Sequence, residues 1–450
     1  MLTENTYFHR TFLSFVLPIL AIIPAVLLMS PRAQSQENTP DRASDMDVLL
    51  AKKQYPQLEQ ALAADSTTVA SQTHTYFEGV MANRLNQSRK SLQLLEPLVP
   101  ALLVNDVRQG EIALCTVADD YAKIFRYGDA ARVYAEAERV ARQQNVDSSC
   151  DAAGEASRWA LLSNAPMQGL AVDGPFTIQG KWDSMGLFQV PLAAGAYTGS
   201  WIVDSGANLS VISQSVAERM GIELSSATGT VEGGSGAAVP VHTGVIPELR
   251  LGAAVLHNVP VLVAADPDLT FPEIAYRVEG SLGLPVLAAL GRFTVYRDGR
   301  IHFGGETIAS DKDRFPHNLF LEKFAPVIAA DFGLGDQLFT IDTGAIRTIL
   351  SAAFYRESKP VNSAQLVELQ LMGAGGTLVS PAYQVHDVEA KLGGGCAQLQ
   401  SVQVLTQPIG RADEFYGNIG ESALRPFTSF TLDFNAMRFS VTGGPQSCGP

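Results

Sequence analysis

GSWIVDSGANLSVIS, residues 199–213, places an acidic residue directly after an apolar run. The run at 201–203 is typical of a strand in a protein core, and Asp204 follows it ahead of the turn-forming Ser205 and Gly206. A carboxylate at the end of a buried strand costs free energy unless it is hydrogen-bonded or used in chemistry. A single Asp-Ser-Gly triplet is most often an ordinary turn, so a function for Asp204 needs a second observation.

A second copy of the pattern supplies that observation. DQLFTIDTGAIRTILS, residues 336–351, also ends an apolar strand in an acid, Asp342, which Thr343 and Gly344 follow. The two stretches match position by position from the strand to the alanine after each glycine. A matched pair of acids is much less expected from chance turns than a single one.

The duplication extends beyond the two triplets. An apolar residue and a glycine recur after each acid, at 282–283 and at 419–420, and a related strand pair follows from Phe293 and from Phe430. Between acid and glycine each copy also has a glycine-rich tip flanked by strand-like residues, and the glycines of the two tips are Gly233, Gly234, Gly236, Gly373, Gly375 and Gly376. Landmarks in the same order at nearly equal intervals indicate an internal duplication.

A duplicated β-region has a chemical consequence for the two acids. Two similar lobes can pack about a pseudo-twofold axis, which would bring Asp204 and Asp342 together. Carboxylates about 3 Å apart cannot easily both ionise, so they share one proton. The charged carboxylate can take a proton from an attacking water, while the protonated one hydrogen-bonds the carbonyl oxygen of a substrate.

The neighbours of the acids fit supporting roles. We call the loops at 204–207 and 342–345 the acid loops. We expect the hydroxyls of Ser205 and Thr343 to form hydrogen bonds between them. Gly206 and Gly344 leave room for backbone amides to approach the carboxylates. The glycine-rich tips suit mobile hairpins that close over an extended substrate, although simple hairpin turns explain them as well.

Residues from about 170 to 450 resemble the aspartic proteases of the pepsin and retropepsin clan. The resemblance rests on DSGA at 204–207, DTGA at 342–345, SLG at 281–283 and NIG at 418–420. The alanine after each glycine is similar to the retropepsin type, here as two copies fused in one chain. The resemblance implies two β-lobes, endopeptidase activity that uses no metal or other cofactor, and Asp204 with Asp342 as the catalytic dyad.

Two departures from the family accompany the resemblance. Where retroviral enzymes have an aspartate after the DTGA motif, this chain has Asn208 in one copy and Ile346 in the other. The family usually has an arginine after the glycine of the SLG or NIG motif, and this chain has Leu284 and Glu421 at these positions. We therefore expect substrate subsites and lobe packing that differ from those of the family.

The residue pattern of the N-terminal third differs from that of the rest of the chain. Residues 12–29 contain no charge, which predicts an export signal or a single membrane anchor. Residues 37–165 favour helices, and the segment 119–142 is similar to a tetratricopeptide helix pair. Such a helical stack can bind a protein partner, or it can serve as a packed cap or spacer.

Composition narrows the classes of partner. The chain has 46 acidic and 32 basic residues and a net charge of -14, which argues against a nucleic-acid partner. The hydrophobic fraction of 46% is sufficient for well-packed cores. Peptides and small molecules remain compatible with this charge.

The four cysteines allow three disulfide connectivities in an oxidising compartment. We favour Cys115 with Cys150 and Cys396 with Cys448, since each pair falls within one predicted domain. The sequence has no CxxC or HExxH spacing, and we predict no metal site.

The sequence thus predicts a multidomain protein, an all-β bilobal aspartic-protease-like barrel pair preceded by an α-helical domain similar to tetratricopeptide repeats. The predicted segments are a signal or anchor at 1–36, the helical domain at 37–165, and two lobes at 166–312 and 313–450. The leading hypothesis is an exported, periplasmic, cell-envelope or secreted aspartic endopeptidase that acts on peptides or proteins. A catalytically silent peptide-binding protein is the alternative, and a helical scaffold with a structural β-region is the third hypothesis.

Overall fold

The computed structural model describes residues 42–64, 72–234, 236–306, 316–358, 364–409 and 412–444. The predicted signal or anchor at 12–29 and Cys448 lie outside these ranges. Within them, no helix is both long and apolar enough to cross a bilayer.

Helices occupy the first described part of the chain, as the sequence predicts for this region. They are α1 (Arg42–Ala51), α2 (Tyr55–Ala64), α3 (Gln72–Arg84), α4 (Ser88–Leu95), α5 (Val99–Asn105), α6 (Val107–Lys123), α7 (Tyr127–Gln143) and α8 (Ala152–Ala160). Asp106 caps α6 by accepting a hydrogen bond from the Gln109 backbone N–H at 3.0 Å. A left-handed turn at Phe125, with φ of 65°, ends that helix and leads into α7. The likeness to tetratricopeptide repeats and the exact domain boundaries stay predictions.

A disulfide closes the helical region. Cys115 of α6 and Cys150 of the turn before α8 are bonded, which confirms the first predicted pair. Glu111, one turn before Cys115, accepts hydrogen bonds from the backbone and hydroxyl of Ser149 and so holds the same turn. The second predicted pair includes Cys448 and stays a prediction.

The β-rich part is described in two halves. The first half, residues 169–303, contains β1 (Gly169–Ala171), β2 (Phe176–Gln179), β3 (Lys181–Trp182), β4 (Phe188–Ala194), β5 (Tyr197–Val203), β6 (Ser210–Ser213), α9 (Gln214–Met220), β7 (Gly229–Glu232), β8 (Ala238–Leu251), β9 (Ala254–Ala264), β10 (Thr270–Phe271), β11 (Tyr276–Arg277), β12 (Gly280–Leu282), α10 (Leu284–Ala289), β13 (Arg292–Tyr296) and β14 (Arg300–Phe303).

The second half, residues 319–442, contains β15 (Leu319–Glu322), β16 (Ala325–Asp331), β17 (Gln337–Ile341), β18 (Ile349–Leu350), α11 (Ala352–Ser358), β19 (Gln365–Gly373), β20 (Gly376–Leu392), β21 (Gly395–Leu405), β22 (Gly417–Ile419), α12 (Glu421–Leu424), β23 (Ser429–Asp433) and β24 (Arg438–Thr442). The strands carry alternating or continuous apolar residues, and glycine turns separate them, which is why short strands form here.

The strands of the two halves pair in the same order. In the first half the order is β4-β5-β12-β6-β9-β8, and β8 also pairs with β4. In the second half it is β16-β17-β22-β18-β21-β20, and β20 also pairs with β16. Pairing therefore returns to its starting strand in both halves, and each acid follows the equivalent strand, β5 or β17.

A third sheet joins the halves. Its order is β2-β14-β13-β23-β24, in which β13 of the first half pairs with β23 of the second. The hydroxyls of Thr294 and Thr431, buried on these two strands, lie 2.8 Å apart. This shared sheet fixes the relative position of the two halves.

The helical region packs against the β-rich part. Trp159 of α8 stacks on Tyr127 and contacts Phe324 in the turn after β15. Glu322 of β15 pairs with Arg84 of α3, Nε to Oε2 at 3.2 Å, and accepts a hydrogen bond from the Tyr55 hydroxyl. Apolar and charged contacts together hold the helices on the second half.

Candidate active site

Asp204 follows β5 at the point where that strand pairs in parallel with β12. Its backbone N–H donates to the Leu282 carbonyl at 3.1 Å, which continues the ladder by one residue. The loop after it is equally constrained, because the Leu284 N–H donates to the Ala207 carbonyl at 2.8 Å. The loop that carries Asp204 is therefore hydrogen-bonded to residues 282–284, which contain the apolar residue and glycine of its own half.

Asp342 has the equivalent surroundings in the second half. It follows β17, which pairs in parallel with β22, and its N–H donates to the Ile419 carbonyl at 2.9 Å. The Glu421 N–H donates to the Ala345 carbonyl at 2.8 Å. Each interaction of the first acid loop thus has a counterpart in the second.

Backbone amides hold both carboxylates within their own loops. The N–H groups of Gly206 and Ala207 donate to Asp204 Oδ1 at 3.1 and 3.0 Å. The Gly344 N–H donates to Asp342 Oδ1 at 2.9 Å. These contacts fix one oxygen of each carboxyl group and leave the other for a different partner.

The two acids face each other across the halves. A Cβ atom added at Gly206 would lie 2.4 Å from Asp342 Cγ, and one added at Gly344 would lie 2.5 Å from Asp204 Cγ. The two carboxyl groups are also hydrogen-bonded to each other. Each carboxylate therefore lies against the glycine of the opposite loop, where any side chain would separate the acids.

Burial raises the pKa of both carboxyl groups because it disfavours their charged forms. For Asp204 the neighbouring Asp342 raises the pKa further, while the Gly206 and Ala207 amides oppose that rise. For Asp342 the strongest opposing contact is the Asn418 side chain, whose Nδ2 donates to Oδ2 at 3.3 Å. Two half-buried carboxyl groups in contact retain one shared proton over a wide range of pH.

Ser205 and Thr343 connect the loops, where the sequence places them beside the acids. Both are buried, and each hydroxyl donates across the halves, Ser205 Oγ to the Ile341 carbonyl at 2.8 Å and Thr343 Oγ1 to the Val203 carbonyl at 2.6 Å. Each hydroxyl also accepts the backbone N–H of the other residue. The two strands that end in the acids are thereby joined at their last residues.

Two further hydroxyls stabilise the site and were not anticipated from the sequence. Ser210 Oγ accepts the Gly283 N–H at 3.0 Å, and Thr348 Oγ1 accepts the Gly420 N–H at 3.1 Å. They occupy the same offset after Asp204 and Asp342. A comparison of the two copies for hydroxyl residues at equal offsets provides the signal that identifies them.

The residue before each apolar-Gly element also contacts an acid. Ser281 hydrogen-bonds Asp204 through its side chain, and Asn418 contacts Asp342 as described above. The two halves thus place a hydroxyl beside one acid and an amide beside the other. This is the main chemical difference between the immediate surroundings of the two carboxylates.

The predicted glycine-rich tips lie in two hairpins. Gly233, Gly234 and Gly236 lie between β7 and β8, whereas Gly373 ends β19, Gly375 is in the turn and Gly376 begins β20. The tips touch, because a Cβ added at Gly375 would lie 2.7 Å from Val239 Cγ2. The Gly375 N–H also donates to the Asp268 carbonyl at 3.0 Å.

The departures from the family pattern lie in different environments. Asn208 is exposed and Ile346 is partly buried, each directly after the alanine of its acid loop. Leu284 and Glu421 are buried, and Glu421 pairs with Arg297 of the other half. The ion pair thus occupies a position in the second half whose equivalent in the first half is apolar.

Potential metal ligands lie together elsewhere in the described residues. Glu111, Cys115 and Cys150 form such a group in the helical region, and their two sulfur atoms are joined in a disulfide. A disulfide sulfur is not a thiolate and does not serve as a thiolate ligand.

Among the comparisons with known proteins, a family model matches the first half of this site. The family model described as "Aspartyl protease" matches residues 190–286, which include Asp204 and Gly283. No curated protein matches the chain. A solved retropepsin-like aspartic protease from Rickettsia conorii is 14% identical, with a TM-score of 0.22, and the match covers 30% of this chain and 93% of that one. The chain thus contains a segment similar to aspartyl proteases, and Asp342 lies outside the matched residues.

Proposed function

We propose that this chain is an aspartic endopeptidase in which Asp204 and Asp342 together activate a water for attack on a peptide carbonyl. The observation that carries the proposal is the contact of the two carboxyl groups, each packed on the glycine of the opposite acid loop. The match of residues 190–286 to an aspartyl protease family supports the same class. In this proposal the two halves are two lobes, each closed as a small barrel, with the substrate bound between them.

The proposed reaction follows from the shared proton. Asn418 and the Gly344 amide favour the charged form of Asp342, so Asp342 is the base and Asp204 holds the proton. Asp342 takes a proton from the water while the water oxygen bonds to the peptide carbon. At the same time Asp204 gives its proton to the carbonyl oxygen. The tetrahedral intermediate then breaks its C–N bond. The leaving nitrogen takes the proton that Asp342 accepted, and one hydroxyl of the intermediate returns a proton to Asp204 as the new carboxyl group forms.

The hairpins β7–β8 and β19–β20 supply the proposed cover of the substrate. Their tips touch, so an extended peptide can enter only after the tips separate. Glycines at the tips allow the backbone conformations and close approach that such a movement needs. Closure over the peptide would exclude bulk water and leave the attacking water between the acids.

The test compares cleavage of an unbiased peptide library by the wild type and by Asp204→Asn and Asp342→Asn, at several pH values. Both variants should lose cleavage because either change removes the shared proton. Their temperature of thermal unfolding should stay close to that of the wild type. Asp298→Asn, a change at an exposed acid paired with Arg300, is the matched control and should cleave normally. Cleavage that survives in either dyad variant contradicts the proposal, and peptide binding without cleavage by the wild type indicates the silent binding protein instead.

Two further proposals concern the remainder of the chain. Residues 12–29 are proposed to direct export and, if retained, to anchor the protein, and the helical region is proposed to contact a protein partner. N-terminal sequencing of protein from the cell envelope and the medium tests the first proposal. Crosslinking of the full chain, with and without the helical region's disulfide, tests the second.

A further inference from the structure

Glu421 is a buried acid that belongs to the second acid loop by its backbone. It begins α12 directly after Gly420, and its side chain is fully buried. Its N–H donates to the Ala345 carbonyl at 2.8 Å, three residues after Asp342. The backbone at Glu421 is therefore part of what holds the loop that carries this acid.

The counter-charge of Glu421 comes from the other half. Arg297, in the turn between β13 and β14, places Nη1 3.0 Å from Glu421 Oε2. Its guanidinium lies 4.3 Å from the centroid of the Trp182 ring, and its Nε donates to the Phe427 carbonyl at 3.3 Å. Stacking and hydrogen bonding therefore hold Arg297 in place independently of Glu421.

The pair satisfies only part of the hydrogen-bonding capacity of either group. Glu421 Oε1 and Arg297 Nη2 are both buried without a hydrogen-bond partner among the described residues. The charged groups that act on Glu421 are Arg297 from the first half, Arg425 just after α12, and Asp342 in the acid loop. Burial raises the pKa of Glu421 to about 7, the two arginines oppose this rise, and Asp342 adds to it.

The equivalent position in the first half carries no charge. It is Leu284, which follows Gly283 as Glu421 follows Gly420, and it is buried in the core. The surroundings of Asp204 and Asp342 therefore differ, because Glu421 and Asp342 interact electrostatically and the counterpart of Glu421 in the first half is an uncharged leucine. A further negative charge near a pair of carboxyl groups that share a proton disfavours the loss of that proton.

We propose that Glu421 is a positioning residue for the dyad, which holds the second acid loop through its pair with Arg297 and raises the pH at which the shared proton is lost. This inference rests on the proposed endopeptidase function. It assigns a role to the glutamate that stands where the family resemblance implies an arginine.

The experiment measures kcat, KM and their pH dependence for the wild type, Glu421→Gln and Glu421→Leu/Arg297→Leu. Glu421→Gln should lower kcat more than it raises KM and should move the alkaline limb of kcat/KM down by about 0.5 to 1 pH unit. The double variant removes both buried charges, and replacement of a buried pair by apolar groups is commonly neutral or stabilising. It should therefore fold and show a smaller downward shift, because it removes the positive charge of Arg297 together with the negative charge of Glu421.

Glu248→Gln, a change at an exposed glutamate paired with Arg250, is the control and should leave the limb in place. Titration of the aspartate carboxyl groups by ¹³C NMR provides a readout that does not depend on cleavage. A wild type that cleaves no peptide overturns the endopeptidase proposal, while the NMR titration still tests Glu421. An unshifted aspartate titration in both folded Glu421 variants, or an equal shift in Glu248→Gln, overturns this inference.

Discussion

Ser205 and Thr343 hydrogen-bond each other reciprocally, since the N–H of each donates to the hydroxyl of the other at 3.0 and 3.1 Å. Each hydroxyl in turn donates to the last strand carbonyl before the opposite acid, at Ile341 and at Val203. Four buried hydrogen bonds thus join the two acid loops. The distance between the acids is set by these bonds as much as by the acids themselves.

Thr343→Val tests this relationship, because valine keeps the shape of threonine but cannot donate or accept. The Val203 carbonyl and the Ser205 N–H then lose their partner, which we expect to cost about 1–3 kcal/mol of the free energy of unfolding. Denaturant unfolding measures this loss, and kcat should fall because the acid loops separate. Thr343→Ser retains the hydroxyl and should keep most of the activity, so equal effects of the two changes would contradict the assigned role.

The close approach of Asp204 and Asp342 and the positions of their hydroxyl neighbours were predictable from sequence because the motif occurs twice. Asp204, Ser205 and Gly206 recur as Asp342, Thr343 and Gly344, and a duplicated motif implies that its copies occupy equivalent places. The glycine-rich tips were predictable as hairpins for the same reason. The helical character of the first described region followed from residue periodicity, which is a local property.

Other features depend on contacts between distant residues of unlike type. Arg297 and Glu421 occupy positions that are not equivalent in the two copies, so the repeat gives no signal for their pairing. The docking of Arg84 and Tyr55 on Glu322 joins the helices to the β-rich part, and no local pattern encodes the partner of a buried charge. Such pairs are decided by the tertiary arrangement, which a single sequence does not display.

Gly206→Ala tests the close approach of the acids. The added Cβ would lie 2.4 Å from Asp342 Cγ, far inside van der Waals contact, so the carboxyl group or the loop must move. We expect a destabilisation of about 1–3 kcal/mol from this overpacking. We also expect a fall in kcat of roughly 100-fold, since a displacement near 1 Å has effects of this order.

Gly169→Ala is the matched control for Gly206→Ala. The nearest atom to a Cβ at Gly169 is His257 Cβ at 3.9 Å, an ordinary contact, so stability and kcat should change little. Steady-state kinetics and thermal unfolding of both variants give the comparison. A Gly206→Ala variant with normal kcat would show that the acids do not need the close approach seen in the structure.

Glu322→Gln tests the docking of the helical region on the second half. Arg84 is only 12% exposed in its side chain, and the change leaves its buried charge unpaired. We expect a loss of about 3–5 kcal/mol at this interface. The loss should appear in thermal unfolding as an earlier transition of the helices and in limited proteolysis as faster cleavage within residues 42–160.

Glu414→Gln is the control for Glu322→Gln. It breaks the pair with Lys53, which joins the helices to the second half but is largely exposed at 43% for the Glu414 side chain. An exposed pair contributes about 0–1 kcal/mol. Equal destabilisation by the two changes would mean that burial of the Glu322 pair does not hold the helices in place.

Because Asp120 is buried, we expect the helical region to become less stable as pH rises. Its side chain is fully buried, and Asn83 Nδ2 donates to its Oδ1 at 2.8 Å. Burial raises the pKa of Asp120 to about 7, Lys123 opposes the rise, and Asp119 adds to it. The folded state therefore binds a proton that the unfolded state releases at lower pH.

The sign of the pH effect follows from this difference. For a raised pKa the stabilisation is complete below the ordinary aspartate value and is lost as pH rises through about 7. We expect the free energy of unfolding of the helical region to fall by about 2–4 kcal/mol between pH 4 and pH 8. Asp120→Asn, which keeps the acceptor for Asn83 and cannot ionise, should be more stable than the wild type at pH 8 and much less dependent on pH. Urea unfolding followed by circular dichroism measures both, with Asp147→Asn as the exposed control, and a wild-type pH slope that survives in Asp120→Asn would contradict the assignment.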